Sequence, residues 1–110
     1  MQISVRTENE VKVLEFNGKL DTQGFPDAEE QLSELIEKGE MKILVNFEKL
    51  DYISSAGLRV LLIAAKQLIP GGGEIRICCL NDVVKEIFNI SGFVTIFKVF
   101  GNESEALDGF

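Results

Sequence analysis

The 110-residue chain carries 18 acidic and 11 basic side chains, no histidine, and a hydrophobic share of 45%. A chain of that size holds one core, so residues 1–110 are expected to form a single domain. The net charge of −7 argues against nucleic acid as the main partner, since phosphate contacts need a basic face, and the missing histidine excludes a Ser-His-Asp triad, a Cys-His pair and a histidine metal site.

Ile3 and Val5 open a short strand, and Val11, Val13 and Phe16 belong to a second, with Glu8-Asn9-Glu10 as the turn between them. Gly18-Lys19-Leu20-Asp21-Thr22 breaks the pattern, so the second strand is expected to end near Asn17. A helix then runs from about Gln23 to Lys38, with Ala28, Leu32, Leu35 and Ile36 on one stripe, Pro26 in its first turn and Gly39 as its stop. Met41 to Phe47 is almost continuously apolar, as in a strand buried on both faces. Glu48 to Ile53 reads as a loop. A second helix spans about Ser55 to Ile69, and Gly71-Gly72-Gly73 turns it into a strand over Glu74 to Leu80. Asn81 or Asp82 caps a third helix carrying Val84, Ile87 and Phe88. Phe93 to Phe100 contains a last strand, and Glu103 to Leu107 one further helical turn.

The expected fold is therefore α/β: a mixed sheet of four to five strands with about four helices, in the order β-β-α-β-α-β-α-β-α. If the second and third strands are parallel, the loops bearing Asp21 and Ser54-Ser55 share the carboxyl edge of the sheet, where open α/β sheets place their sites.

No signal peptide is visible in Met1 to Arg6, and the apolar run Val60 to Ile69 is too short and interrupted to span a bilayer. Cys78 and Cys79 are neighbours on a strand, so they are expected to point to opposite faces without bridging. Both readings fit a cytoplasmic protein.

The second helix is the informative element. Between Ala56 and Ile69 only Arg59, Lys66 and Gln67 are strongly polar, and they share one narrow stripe. A helix apolar around most of its circumference needs cover on more than one side. Burial between the sheet and a neighbouring helix supplies that cover, and so does a docked partner. At its start, Ser54 or Ser55 serves as N-cap. A serine there is also a site where a phosphate meets free N–H donors and the positive end of the helix dipole, with Arg59 on the same face as Ser55.

The run Tyr52-Ile53-Ser54-Ser55-Ala56-Gly57-Leu58-Arg59-Val60-Leu61-Leu62 resembles the phospho-acceptor segment of bacterial anti-sigma factor antagonists, the STAS domain family. Many members read Asp-Ser-Ser/Thr-Gly-Leu there, and Gly57 sets the register so that the acceptor corresponds to Ser55. Ser54 stands at the usual aspartate position and Ala56 at the second hydroxyl position, which leaves Ser54 as a competing acceptor. Gly18-Lys19-Leu20-Asp21, Leu44-Val45-Asn46-Phe47, Gly72-Gly73-Glu74 and Val84-Lys85-Glu86-Ile87-Phe88 followed by Ser91-Gly92-Phe93 are similar to other family segments, in order along nearly the whole chain.

The resemblance implies partner switching. The unphosphorylated protein binds an anti-sigma factor that is also a serine kinase and frees a sigma factor. Phosphorylation of Ser55 dissolves the complex, and a serine phosphatase restores the binding form. It places Asp21, Thr22, Ser54, Gly57, Leu58 and Arg59 at the partner or kinase contact, with no catalytic residue, metal, cofactor, nucleic acid or membrane involved. Asp21 engages the kinase, caps the first helix or positions the loop beside Ser55.

The rival readings are weaker. A Ser-Lys nucleophile needs Lys66 or Lys49 buried beside Ser55. The three glycines lack the Lys-Ser/Thr of a phosphate-binding loop, although some relatives have been proposed to bind nucleotides. A scaffold role in another signalling assembly, without a sigma factor, is the main alternative, and the lack of a fused segment favours the stand-alone antagonist.

Overall fold

The chain opens as the hairpin its first residues imply. In the computed structural model, which describes residues 1–110, β1 (Gln2–Glu8) and β2 (Val11–Leu20) pair antiparallel through Asn9 and Glu10, at φ 48° and 72°. Positive φ at both central residues gives the turn a twist that matches the strands it joins.

β2 runs past its expected end. Its Lys12–Glu15 stretch pairs parallel with β3 (Lys42–Asn46), and Gly18–Leu20 pair parallel with β4 (Leu50–Ile53), with a register shift between Gly18 and Lys19. Gly18 sits at φ 115°, a conformation side-chain-bearing residues rarely adopt. The glycine that looks like a strand break is thus a bulge at which β2 exchanges one neighbour for another.

β4 lies inside the segment expected as a loop. Its burial runs buried, exposed, exposed, buried over four residues, leaving no alternation to read. With β5 (Glu74–Cys78) and β6 (Lys98–Phe100) the sheet has six strands, in the order β1-β2-β3-β5-β6 with β4 on β2. Every pairing except the hairpin is parallel, so the carboxyl ends of β2 to β6 share one edge.

Four helices complete the expected order: α1 (Phe25–Glu37), α2 (Ser55–Leu68), α3 (Asp82–Ser91) and α4 (Glu103–Leu107). Residues in β2, β3 and β5 alternate between two cores. Leu14, Phe16, Ile43, Val45, Ile75 and Ile77 face the larger one, with Leu32, Leu61 and Phe88 from α1, α2 and α3. Val11, Val13, Leu44 and Cys78 face a smaller one beneath Ala106 of α4. Cover on both faces is why β3 reads as a continuous apolar run.

The apolar girth of α2 is used by the fold itself. Gly57, Leu58, Val60, Leu61, Ala64, Ala65 and Leu68 are buried where the helix lies against the sheet and against α1, and Arg59, Lys66 and Gln67 face solvent. Each large side chain so buried contributes about 1.5–3 kcal/mol.

The cysteines depart from expectation. β5 ends at Cys78, and Cys79 leaves the strand at φ 67°. Strand alternation no longer applies to the second residue, and the two sulfurs lie 3.3 Å apart as free thiols.

No helix is long and apolar enough to cross a membrane.

Candidate functional site

The site forms where β2 and β4 end side by side. Leu20 pairs with Ile53, and the Ser54 N–H donates to the Leu20 carbonyl at 2.9 Å. The next residue on one strand is Asp21, and on the other the chain enters α2. The sequence places these loops together through β2 and β3, whereas the structure does so more directly, through β4.

Of the two serines, Ser54 is the cap. It holds an extended backbone (φ −95°, ψ 175°), and its Oγ accepts the Gly57 N–H at 3.3 Å and donates to the Leu20 carbonyl at 3.4 Å. That hydroxyl is occupied in both its roles. Ser55 is the first helical residue; it is exposed and its hydroxyl makes no hydrogen bond within the protein. A group attached to Ser55 stands at the positive end of a 14-residue helix, where the first N–H groups lack internal acceptors. Arg59, one turn on, is exposed and forms no ion pair.

Asp21 shapes the neighbouring turn. Its Oδ1 accepts the N–H groups of Gln23 and Gly24, each at 3.0 Å, and its carbonyl accepts the Phe25 N–H at 2.8 Å. These bonds fold Asp21 to Gly24 into a turn, so α1 starts at Phe25 rather than Gln23, with Gly24 in the cap position. Asp21 therefore fastens the approach to α1 without being its N-cap. The Gly24 N–H, aided by the Gln23 N–H, holds the carboxyl below its ordinary pKa against the opposing pull of desolvation. Thr22 is exposed beside it.

Gly57 and Leu58, expected at the contact surface, are buried. A Cβ on Gly57 would stand 2.5 Å from the Leu20 carbonyl oxygen and 2.8 Å from Ile53 Cγ1. The glycine lets the first turn of α2 settle on the ends of β2 and β4, and Leu58 packs into the larger core. Both position the serine without presenting a surface. Conversely, Tyr52, the first residue of the resembling run, is 43% exposed on β4, three residues before Ser55.

The requirements of a Ser-Lys nucleophile are not met: Lys49 is exposed and pairs with Glu15 at 3.0 Å, and Lys66 is exposed near the far end of α2. No cluster of three metal-ligating side chains is present. Gly71 ends a short 3-10 turn at Ile69–Gly71, and Gly72 and Gly73 carry the chain from it into β5.

Comparison with known proteins bears on these features. A family model described as the STAS domain matches residues 2–106. BtrV of Bordetella bronchiseptica, described as a candidate anti-sigma factor antagonist, is 41% identical over 93 residues, 84% of this chain and 80% of that protein. Among solved structures, a candidate anti-sigma factor antagonist from Thermotoga maritima superposes with a TM-score of 0.92 at 21% identity, covering 96% of this chain and 92% of that one. The Bacillus cell fate determinant SpoIIAA in its phosphorylated form superposes with a TM-score of 0.76 at 23% identity over 97% of each chain. At these identities the two superpositions speak for the fold alone.

Proposed function

The chain belongs to the STAS domain family of anti-sigma factor antagonists, and from that premise we propose that it acts by partner switching with Ser55 as the reversible phosphate acceptor. Residues 1–110 act as one STAS domain in this scheme. The unphosphorylated form binds an anti-sigma factor with serine kinase activity and releases a sigma factor. The kinase modifies Ser55 and the complex dissociates. A serine phosphatase returns the protein to its binding form.

The observation that carries this reading is the division of labour between adjacent serines. Ser54 spends its hydroxyl on the cap and on Leu20, and Ser55 presents a free, exposed hydroxyl at the first position of α2. This favours Ser55 over the competing acceptor. The helix start accommodates a phosphate without unfolding, since its N–H groups and dipole favour an anion. A change of about −1.5 to −2 charges then acts on the docked partner rather than on the fold. A loss of only ~2.7 kcal/mol in binding weakens a complex ~100-fold. Asp21 and Thr22, on the adjoining loop, and exposed Arg59 complete the proposed contact, while Gly57 and Leu58 act from beneath.

The test is to incubate the protein with the anti-sigma kinase of its source organism and ATP, then map the phosphate. Modification at Ser55, with Ser55→Asp weakening the complex and Ser55→Ala binding constitutively, supports the switch. No modification, or modification elsewhere, points to a scaffold role.

A further inference from the structure

We propose that Cys78 and Cys79 form a dithiol site that closes reversibly to an intramolecular disulfide when a small peroxide reaches it. The inference is independent of Ser55 and of its phosphorylation. It rests on where the backbone puts two adjacent sulfurs. Cys79 adopts φ 67°, and this left-handed turn brings its Sγ to 3.3 Å from that of Cys78. The peptide between them is held at both ends: the Cys78 carbonyl accepts the Phe47 N–H at 3.0 Å, and the Cys79 N–H donates to the Phe100 carbonyl at 3.1 Å. Non-glycine residues seldom adopt positive φ without a reason in the surrounding structure.

The two thiols are unequal in access and chemistry. Cys78 is fully buried in the smaller core among Val13, Leu44 and Ala106. Cys79 is part-exposed and lines a cleft of about 610 Å³ on the carboxyl edge of the sheet, together with Asn46, Glu48, Asn81, Asn102 and Glu103. Burial, reinforced by the neighbouring Cys79, pushes the Cys78 thiol up, and Cys79, the part-exposed sulfur, is the one that a peroxide from solvent meets first.

The Cys79 thiolate attacks one oxygen of hydrogen peroxide. The O–O bond breaks, leaving the sulfenic acid of Cys79, and the departing hydroxide takes up the proton the thiol released, forming water. The Cys78 sulfur then attacks the sulfenic sulfur. The S–O bond breaks, and the second hydroxide leaves with the Cys78 proton as water. In sum, two thiols and one peroxide give one disulfide and two waters, and the two electrons lost by sulfur reduce the O–O bond. The Cα atoms of adjacent residues stand only about 3.8 Å apart, shorter than the usual disulfide span of about 4.4–6.8 Å. Such a ring is strained and opens readily to a dithiol reductant, as a reversible site requires.

The experiment treats the folded full-length protein with a modest excess of hydrogen peroxide and reads intact mass and free thiols. The expected result is loss of both thiols and of two hydrogens per chain, without a covalent dimer and reversed by dithiothreitol. The step should quicken as pH rises, because the thiolate rather than the thiol attacks the peroxide. Cys79→Ser should keep Cys78 reduced. Cys78→Ser should leave a sulfenic acid on Cys79 that a 1,3-dicarbonyl probe captures. As a measurement independent of oxidation, a trivalent phenylarsenical should bind the wild type one to one by bridging both sulfurs, and bind neither single variant. Stepwise addition of oxygen to Cys79, a dimer linked through Cys79, unchanged thiols, or arsenical binding that survives Cys79→Ser would each overturn the proposal.

Discussion

Gly57 in α2 and Leu20 at the end of β2 approach so closely that a side chain on the glycine would put its first carbon 2.5 Å from the Leu20 carbonyl oxygen. That oxygen is already the acceptor for the Ser54 N–H and a partner of the Ser54 hydroxyl. It cannot move away without loosening the cap at which α2 begins. The precision with which the serine pair is held therefore depends on the absence of a side chain three residues into the helix.

Gly57→Ala tests this. Alanine in place of glycine inside a helix normally gains about 1 kcal/mol. Here a backbone oxygen and a buried Ile53 methylene stand in the way, and overpacking of that kind costs about 1–3 kcal/mol. The contact wins, so the variant is expected to be the less stable one, with a melting temperature lower by roughly 4–8 °C for each kcal/mol lost. Thermal melts read the outcome, and a variant as stable as wild type contradicts the packing argument.

The two serines should separate cleanly. Ser54→Ala removes the cap and is expected to cost about 1 kcal/mol while leaving Ser55 open to a kinase. Ser55→Ala removes an exposed hydroxyl that holds nothing and should change stability by no more than about 0.5 kcal/mol while abolishing phosphorylation. Urea titration and phosphate incorporation on the same pair of variants give a crossed pattern. If the stability loss falls on Ser55→Ala instead, the assignment of cap and acceptor is reversed.

Much of this arrangement was legible in the sequence, for identifiable reasons. β3 announces itself because two cores need Ile43 and Val45 on one side and Leu44 on the other. The stripe Ala28, Leu32, Leu35 on α1 is a direct image of the surface it covers. The placement of Asp21 and the serine pair at neighbouring strand ends follows from parallel strands ending on a common edge. What stayed hidden depends on single backbone angles or on unpatterned short segments. Gly18 bends β2 without ending it, and β4 exposes two successive residues. The choice between Ser54 and Ser55 as cap turns on one extended residue, and both types suit the role equally. The sulfur contact depends on a positive φ at Cys79, to which a cysteine gives no clue. Gly57 and Leu58 look like surface in a motif and prove to be support, because a linear pattern does not show which backbone a glycine must touch.

Asp21 predicts a pH dependence with a definite sign. Its folded pKa is lowered, chiefly by the Gly24 N–H, with the Gln23 N–H adding to it. A carboxylate stabilised in this way contributes its full share above the unfolded pKa of about 3.9 and loses it as pH falls through the lower folded value. Asp21→Asn keeps an oxygen acceptor but no charge. Wild type is expected to be the more stable protein at neutral pH, and the gap should narrow as pH falls below about 4 and go on closing as the folded carboxylate is protonated. Urea midpoints measured across that range check it. At neutral pH, a variant that stays folded yet resists the kinase assigns Asp21 to the contact, whereas unchanged phosphorylation confines it to the turn.

Arg76 governs the other end of the molecule. It is 6% exposed in the middle of β5, and its guanidinium donates to the carbonyls of Ala106, Asp108 and Gly109 at 2.9, 2.9 and 3.1 Å. Its Nε meets Glu74 at 2.8 Å, and the group lies 4.4 Å from the Phe110 ring centre and 5.3 Å from that of Phe100. The same ion pair, with Lys98 beside it, holds the Glu74 carboxyl below its ordinary pKa. One buried cation therefore fastens the last turn of the chain over the smaller core, where no second helix assists α4. Arg76→Met keeps the length of the stem but loses every one of these contacts and leaves three carbonyls to find water. Removing one partner from a buried, charge-assisted network costs about 3–5 kcal/mol. The expected result is a large fall in the urea midpoint, with early proteolytic trimming after about residue 102 while the rest of the sheet stays protected. Arg76→Lys supplies the charge but not the planar fork, so it should recover only part of the loss. Full recovery by lysine would mean that charge alone, rather than the three-carbonyl geometry, holds the terminus down.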